Sequence, residues 1–229
     1  GILVIPSVSN MSMDFGKRFW ISDDTDLNRL FPGNPSGESG SRVAYAIMET
    51  TKGYRYGIHL PSFYLGGTFM PHIRLLDPEH GSTSLANLFG LPYVIEAKSR
   101  PFDRTTLHNN WQRNGTEAFS LYTGMTGKID DELAAQAVSS ILRFLTRMGI
   151  IRYYSHSGYI ASVLKEGDLE PIMTEAAGIF IKKAECGQEV SRGDVLAQIM
   201  KADSGEIISE VKAPTDGIIF YAETRPVVY

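Results

Sequence analysis

Apolar and polar positions change pattern along the chain and predict two kinds of structure. Residues 2–5 form a continuous apolar run that ends at Pro6, which is typical of a buried strand in a parallel sheet. Further strands are predicted at 54–60, 91–97 and 118–122, and helices at 41–53, 84–89 and 130–148. The remainder of 61–110 shows no regular period. Strands that alternate with helices predict an α/β domain over residues 1–160, with a mixed, mostly parallel sheet and flanking helices.

The clearest single element is the helix predicted at 130–148. Asp130 and Asp131 stand at its start, where carboxylates cap free N–H groups and suit the positive end of a helix. Gly149 follows its last turn, as expected where a helix stops. Its apolar stripe consists of Leu133, Ala134, Ala137, Ile141, Leu145 and Met148.

Beyond residue 160 the pattern becomes one of short strands and turns. Strands are predicted at 172–181, 195–200, 207–211 and 218–221, with a turn at 203–206. This spacing predicts a small all-β barrel or sandwich domain over residues 161–229. The expected domain boundary therefore lies near residue 160.

Composition and charge exclude several classes of protein. Of the 229 residues, 43% are hydrophobic and 21% are charged, so general disorder is not expected. The formal net charge of −4 leaves no basic footprint, and nucleic acid is not an expected partner. No apolar run approaches the ~20 residues of a membrane-spanning helix, and the first residues lack the features of a signal peptide, so a membrane partner is not expected.

The cysteine content points to a reducing compartment. Cys186 is the single cysteine, so it cannot form an internal disulfide or build a thiolate zinc site alone. We therefore expect a cytoplasmic protein. Cys186 lies in a turn between two predicted strands, and a surface or half-buried thiol is the favoured interpretation over a nucleophile.

The loop at 7–38 carries the most specific group of polar residues, in the string Asp26-Leu27-Asn28-Arg29-Leu30-Phe31-Pro32-Gly33. Arg29 offers a planar cationic fork that can bind a carboxylate through two parallel hydrogen bonds, and Asn28 adds a neutral donor. A structural alternative is that Arg29 pairs with Asp24 or Asp26 and ties down the loop. The residues alone favour neither interpretation.

His59 ends the strand predicted at 54–60, where open α/β sheets place their ligand sites. A neutral imidazole there can bind zinc through one ring nitrogen. A single histidine at such a position is more often a structural residue, so both interpretations stand at this point.

The Asn28-Arg29 string resembles the Asp-Leu-Asn-Arg-x-Phe-Pro-Gly motif of the succinylglutamate desuccinylase/aspartoacylase family, which has a zinc carboxypeptidase-like fold. The resemblance implies that Asn28 and Arg29 hold the substrate carboxylate, and that Arg18 polarises the scissile carbonyl or helps to hold the substrate. It also implies that His59 is the third zinc ligand, in a string where Gly57 replaces the family's Asp.

Two features depart from that family pattern. The family's first two zinc ligands form a His-x-x-Glu pair ahead of the first strand, and none of the other histidines (His72, His80, His108 and His156) is followed by Glu at that spacing. We therefore expect that the sequence starts inside a domain and lacks that segment. Tyr122 stands where the family has its general-base Glu, and a phenol with a pKa of about 10 is a poor base. Tyr122 is instead expected to contact substrate.

The C-terminal strands resemble a biotinyl/lipoyl-type barrel, but the predicted tip at 203–206 has no lysine to modify. A carrier function is not expected. The resemblance of the Asn28-Arg29 string to the desuccinylase/aspartoacylase motif implies a zinc-dependent hydrolase. Such an enzyme would deacylate an N-acyl amino acid or a related small acylated amine. The alternatives are a non-catalytic carboxylate-binding protein that has lost the base, and a peptidase acting on longer chains. A homo-oligomer is compatible with the sequence.

Overall fold

The computed structural model describes residues 1–61, 66–79, 81–123, 128–155 and 157–229. Within these ranges the α-helices are α1 (Asn10–Asp14), α2 (Ser39–Thr50), α3 (Ser82–Asn87), α4 (Leu107–Arg113) and α5 (Asp131–Arg147). Short 3-10 helices lie at Leu27–Arg29, Pro101–Thr105 and Glu166–Asp168. The strands are β1 (Tyr56–His59), β2 (Thr68–Phe69), β3 (His72–Leu76), β4 (Tyr93–Ala97), β5 (Glu117–Tyr122), β6 (Ser162–Lys165), β7 (Gly178–Lys182), β8 (Glu189–Val190), β9 (Val195–Met200), β10 (Ile207–Lys212), β11 (Gly217–Ile218), β12 (Tyr221–Ala222) and β13 (Val227–Val228).

These strands form a central sheet and separate antiparallel sheets. The central sheet has the order β1-β5-β3-β4-β6, and its β1 and β5 are parallel, with His59 opposite Ser120. A four-stranded antiparallel sheet has the order β10-β9-β7-β13, and two-stranded sheets pair β11 with β8 and β12 with β2. The predicted fold class, α/β with a mostly parallel sheet plus antiparallel β structure, is confirmed.

The chain divides into two compact units. The first consists of Gly1–Leu60, Arg74–Ala86 and Glu96–Ser120. The second consists of Pro61–Ile73, Asn87–Ile95 and Leu121–Tyr229. The domain boundary expected near residue 160 stays a prediction.

In the first unit, helix α2 and helix α4 supply much of one hydrophobic core. Ala44, Ile47 and Met48 repeat at helical spacing on α2 and are all buried, as the sequence pattern predicts. Phe31, Leu107, Trp111 and Ala118 complete the cluster. The indole N–H of Trp111 donates to the hydroxyl of Thr51 at 2.9 Å, so this buried polar group is satisfied.

In the second unit, helix α5 confirms the strongest helix prediction. The carboxylate of Asp130 accepts a hydrogen bond from the backbone N–H of Leu133 at 3.1 Å and caps the helix. Ala137 is buried, and the ring of Phe144 stacks on that of Phe89 with 4.4 Å between ring centroids. Ala134, predicted to face the core, is exposed.

Residues 2–5 do not form the predicted buried strand. They adopt no regular secondary structure, and Val4 is 72% exposed. A strand requires a neighbour that supplies backbone hydrogen bonds, and an apolar run carries no information about that neighbour.

The stretch 61–110 is more regular than its sequence pattern indicates, because it contains β3 and α4. Both elements bury polar residues, which conceals their period. His72 on β3 and His108 and Asn110 on α4 are all buried. Asn110 satisfies its amide by donating to the carbonyls of Arg104 and Thr106 at 2.9 and 2.8 Å.

None of the helices in the described ranges has the length and apolar character needed to cross a membrane.

Candidate functional site

The Asn28-Arg29 pair lies on the 3-10 helix Leu27–Arg29. The carboxylate of Asp26 accepts from the backbone N–H of Asn28 at 2.9 Å and caps this short helix. Asp26 also lies 3.7 Å from the guanidinium of Arg18. Asp26 therefore contacts both Arg18 and Asn28. The structure thus brings the three predicted residues, Arg18, Asn28 and Arg29, into one segment.

Arg29 is held by the neighbouring 3-10 helix Pro101–Thr105. Its Nη1 donates to the carbonyl of Phe102 at 2.9 Å, and its guanidinium carbon lies 5.0 Å from the centroid of the Phe102 ring. Nη1 is also 3.7 Å from Asp103 Oδ1. Among the described residues Arg29 thus pairs with Asp103 and not with Asp24 or Asp26, because Asp24 pairs with Lys17 and Asp26 pairs with Arg18. The Arg29 side chain remains 42% exposed and accessible to a ligand.

Asn28 links the same segment to helix α4. Its side-chain oxygen accepts a hydrogen bond from the backbone N–H of Leu107 at 3.0 Å, one of the otherwise unpaired N–H groups of the first helical turn. Thr106 caps the helix as well, accepting from the N–H of Asn109 at 3.3 Å. The oxygen of Asn28 therefore has a structural partner, and only its amide nitrogen can serve a ligand as a donor.

Helix α4 carries His108 to the carboxyl ends of β1 and β5. The Nδ1 of His108 lies 2.8 Å from the hydroxyl of Ser120, and the Nδ1 of His59 lies 3.4 Å from that same hydroxyl. His59 and Ser120 are opposite each other in the parallel β1–β5 register, which places their side chains on the same face. His59, Ser120 and His108 thus form one cluster, called here the His–Ser–His cluster.

Both histidines of the His–Ser–His cluster are neutral at pH 7. Burial lowers the pKa of His59 to about 4. Burial, with smaller contributions from the charges of His59 and Arg74, lowers the pKa of His108 to about 3. A neutral imidazole is the form that binds a metal ion, so His59 has the protonation state that its predicted role requires.

Trp111 packs against His59. The two rings are edge to face, with 6.4 Å between centroids. A Cβ placed on Gly57 would lie 2.5 Å from Cε3 of Trp111. Position 57, where the resemblance would lead us to expect Asp, therefore needs a glycine to leave room for the Trp111 ring.

Tyr122 lies in the second unit, within an aromatic cluster. Its ring stacks on that of His72 at 4.9 Å between centroids and an interplanar angle of 11°, and meets Phe69 edge to face. The Nδ1 of His72 is 2.8 Å from the carbonyl of Met70, so His72 is buried with a polar partner. Tyr122 is half-buried.

Metal-binding groups are sparse. In the parts of the chain that the structure describes, no three His, Cys, Asp or Glu side chains come together to hold a metal ion. His80 and His156 lie outside those parts. Cys186 is half-buried, burial raises the pKa of its thiol, and its sulfur is 3.4 Å from the Phe220 carbonyl. These observations accord with an ordinary thiol rather than a metal ligand.

Sequence reasoning missed His108 and Ser120. His108 has no glutamate at the family spacing after it, and nothing in the local sequence connects it with His59. The signal that could have found them is the alignment of strand ends, because residues that end neighbouring parallel strands lie at one edge of the sheet.

Comparison with solved structures identifies the fold. The product-bound ectoine utilization protein EutE (DoeB) from Ruegeria pomeroyi matches with a TM-score of 0.83 and 19% identity, over 98% of this chain and 71% of that chain. A succinylglutamate desuccinylase from Silicibacter sp. TM1040 matches with a TM-score of 0.84 and 19% identity, over 98% and 70%. A succinylglutamate desuccinylase/aspartoacylase from Rhodobacter sphaeroides matches with a TM-score of 0.79 and 20% identity, over 98% and 70%.

No family model matches the sequence, and no curated protein matches it significantly. The structural likeness nevertheless covers nearly the whole chain, including both compact units. The chain therefore has the fold of the succinylglutamate desuccinylase/aspartoacylase proteins, which confirms at the level of fold the resemblance that the Asn28-Arg29 motif indicated.

Proposed function

We propose that the protein is a deacylase that hydrolyses the amide bond of an N-acyl amino acid or a related small acylated amine. The observation that carries the proposal is the exposed guanidinium of Arg29, held in place beside Asn28 in a chain with the desuccinylase/aspartoacylase fold. The names of the structural neighbours, succinylglutamate desuccinylase and aspartoacylase, suggest acidic N-acyl amino acids as the first substrates to test.

Carboxylate binding is the best supported part of the proposal. The Phe102 carbonyl and ring fix the position of Arg29, while 42% of its side chain stays accessible. A fixed guanidinium loses little freedom when it binds a carboxylate through two parallel hydrogen bonds. The amide nitrogen of Asn28 adds a donor on the adjacent residue. Arg18, held beside Asp26, would polarise the scissile carbonyl or help to hold the substrate.

The proposal assigns one residue, His59, as a zinc ligand. Its neutral imidazole at the end of β1 fits one ligand position of a zinc site, but the described residues do not complete such a site. A bound zinc ion would supply Lewis-acid activation of water and of the scissile carbonyl. We assign His59 as one ligand and derive no step beyond that.

A second candidate function has its own support. Tyr122, at the position expected for the general base, is packed against His72 and Phe69 and offers no carboxylate. A protein that binds N-acyl amino acids without hydrolysing them would need the donors of Asn28 and Arg29 and no base. In either case we keep Tyr122 as a proposed contact to substrate.

Turnover by the full chain separates the two candidates. Zinc-replete protein is incubated with N-succinylglutamate, N-acetylaspartate and neutral N-acyl amino acids, and release of free amine is measured. The deacylase proposal expects turnover of at least one acidic substrate, with a loss of 100-fold or more in kcat/KM for Arg29→Ala and none for the exposed control Arg192→Ala. Binding without amine release would favour the second candidate.

A further inference from the structure

Two arginines of the first unit contact the ring of Phe102. The guanidinium carbon of Arg29 lies 5.0 Å from the ring centroid, and that of Arg100 lies 5.9 Å from it. The two guanidinium carbons are therefore at most 10.9 Å apart, the sum of these two distances. Phe102 is 52% exposed and Arg100 is exposed as well. A small ligand at Arg29 can therefore reach a second cation.

The carboxylate of Asp103 stabilises this arrangement without balancing its charge. Its Oδ1 is 3.7 Å from Nη1 of Arg29, and its Oδ2 accepts from the backbone N–H of Arg100 at 2.9 Å. The Asp103 side chain is 11% exposed, against 42% for Arg29, so solvent meets the cation more than the carboxylate. Two positive charges and one negative charge leave this group positive in a chain whose formal net charge is −4. An anion that approaches both guanidinium groups is attracted by both.

The segment that carries Arg100 also fixes the position of Arg29. Arg100 directly precedes the 3-10 helix Pro101–Thr105, and its backbone N–H is tied to Asp103. Nη1 of Arg29 donates to the Phe102 carbonyl within the same helix. The fold therefore holds the backbone of Arg100 at a defined place beside the Arg29 guanidinium.

We propose that Arg100 is a specificity-determining residue that binds a second carboxylate of the ligand while Arg29 binds the first. The inference rests on the proposed function for the role of Arg29, and it narrows the ligands to N-acyl amino acids with two carboxylates. The second carboxylate belongs to the amino-acid side chain or to the acyl group, and a guanidinium recognises both by the same charge-assisted hydrogen bonds. Arg100 lies outside the Asn28-Arg29 motif, so this preference is independent of that motif.

The test is calorimetric titration of the full chain with ligands whose sulfonamide linkage a deacylase does not cleave. N-methylsulfonylglutamate and N-methylsulfonylglutamine have nearly the same shape and differ by one charge on the side chain. N-(2-carboxyethylsulfonyl)alanine and its terminal amide differ by the same charge on the acyl side. We expect the dicarboxylate of at least one pair to bind at least tenfold more tightly than its neutral-amide partner, and the pair that discriminates identifies the source of the second carboxylate.

Two variants assign the preference to Arg100. Arg100→Gln keeps the backbone N–H that Asp103 accepts, and it should reduce the tenfold ratio to about twofold or less while the amide ligand binds as before. Arg104→Gln is the matched control, because Arg104 is exposed on the same 3-10 helix and its loss changes the net charge equally. This control should retain the tenfold ratio.

Three results would overturn the proposal: no preference for a dicarboxylate in either pair, an unchanged ratio in Arg100→Gln, or an equal loss of the ratio in Arg104→Gln. The titration requires no hydrolysis, so its outcome can be separated from that of the deacylase proposal. A dicarboxylate preference without turnover of any substrate supports the role of Arg100 and contradicts the deacylase. Equal turnover of N-acetylglutamate and N-acetylglutamine does the reverse.

Discussion

Gly57 leaves open the space that the indole of Trp111 occupies. A Cβ on Gly57 would lie 2.5 Å from Cε3 and 2.8 Å from Cζ3 of that ring, closer than real side-chain contacts come. Trp111 is anchored by its N–H bond to Thr51 and packs against His59, so it cannot move aside without disturbing both. The glycine at this position therefore follows from the packing of β1 against α4.

Gly57→Ala should destabilise the protein by about 2 kcal/mol, the usual result of forcing a methyl group into a packed core. Urea denaturation measures the change. Gly217→Ala is the matched control, because Gly217 also lies in a strand but no atom lies within 4 Å of the added methyl. Equal midpoints for the two variants would show that Trp111 does not restrict position 57.

Asn28 has a structural role and a proposed binding role, and two substitutions separate them. Asn28→Ala removes the acceptor for Leu107 N–H and should cost about 1 kcal/mol of stability. Asn28→Asp keeps an acceptor and places a negative charge at a helix N-terminus, so stability should be retained. It removes the amide donor, however, and should weaken binding of an N-acyl amino acid at least tenfold.

Denaturation and calorimetric titration of the two Asn28 variants give both quantities. If Asn28→Asp binds the ligand as tightly as the wild-type protein does, the amide nitrogen does not contact the carboxylate.

Arg29→Lys should weaken ligand binding about tenfold while changing stability by less than about 0.5 kcal/mol. A lysine cannot make two parallel hydrogen bonds to a carboxylate, and the partly exposed contact to Asp103 contributes little to folding. Titration with the same ligand measures affinity, with Arg192→Lys as the control. A larger loss of stability than of affinity would assign Arg29 to the fold alone.

The metal-free protein should lose stability in mild acid. The pKa values of His59 and His108 are about 4 and about 3 in the folded state, below the value of about 6.5 in the unfolded chain. The unfolded state therefore binds more protons as the pH falls through 6.5, so stability is complete above that pH and declines toward pH 4. At pH 5 the loss is roughly 2 kcal/mol per histidine.

His108→Asn removes one of these titrating groups and should reduce the loss between pH 7 and pH 5 by about half. Denaturation midpoints at the two pH values provide the comparison. An undiminished loss in the variant would mean that other groups control the acid response.

How far the sequence reveals the fold depends on where polar residues are buried. Helices α2 and α5 have apolar stripes and clear ends, and the structure places both close to their predicted bounds. Helix α4 was not predicted because the polar residues His108 and Asn110 occupy buried positions, where Nδ1 of His108 contacts Ser120 and the amide of Asn110 donates to the Arg104 carbonyl. Such contacts leave no periodic signal in the local sequence.

The residues of the candidate site also differ in how far the sequence predicts their contacts. Asn28 and Arg29 lie within one short motif, so their proximity could be predicted from the sequence. Ser120 meets His59 only because β1 and β5 pair in parallel register across 61 positions, and Asn28 meets Leu107 across 79. Neither contact follows from spacing along the chain.

The most direct measurement is turnover of an acidic N-acyl amino acid by the full chain before chelation, after removal of metal and after addition of zinc. The account predicts hydrolysis that disappears with the metal and returns with zinc in the wild-type protein, but stays absent in His59→Gln. Hydrolysis that survives chelation, or equal recovery in His59→Gln, would contradict the assignment of His59. No hydrolysis of any N-acyl amino acid under zinc-replete conditions would contradict the deacylase function itself.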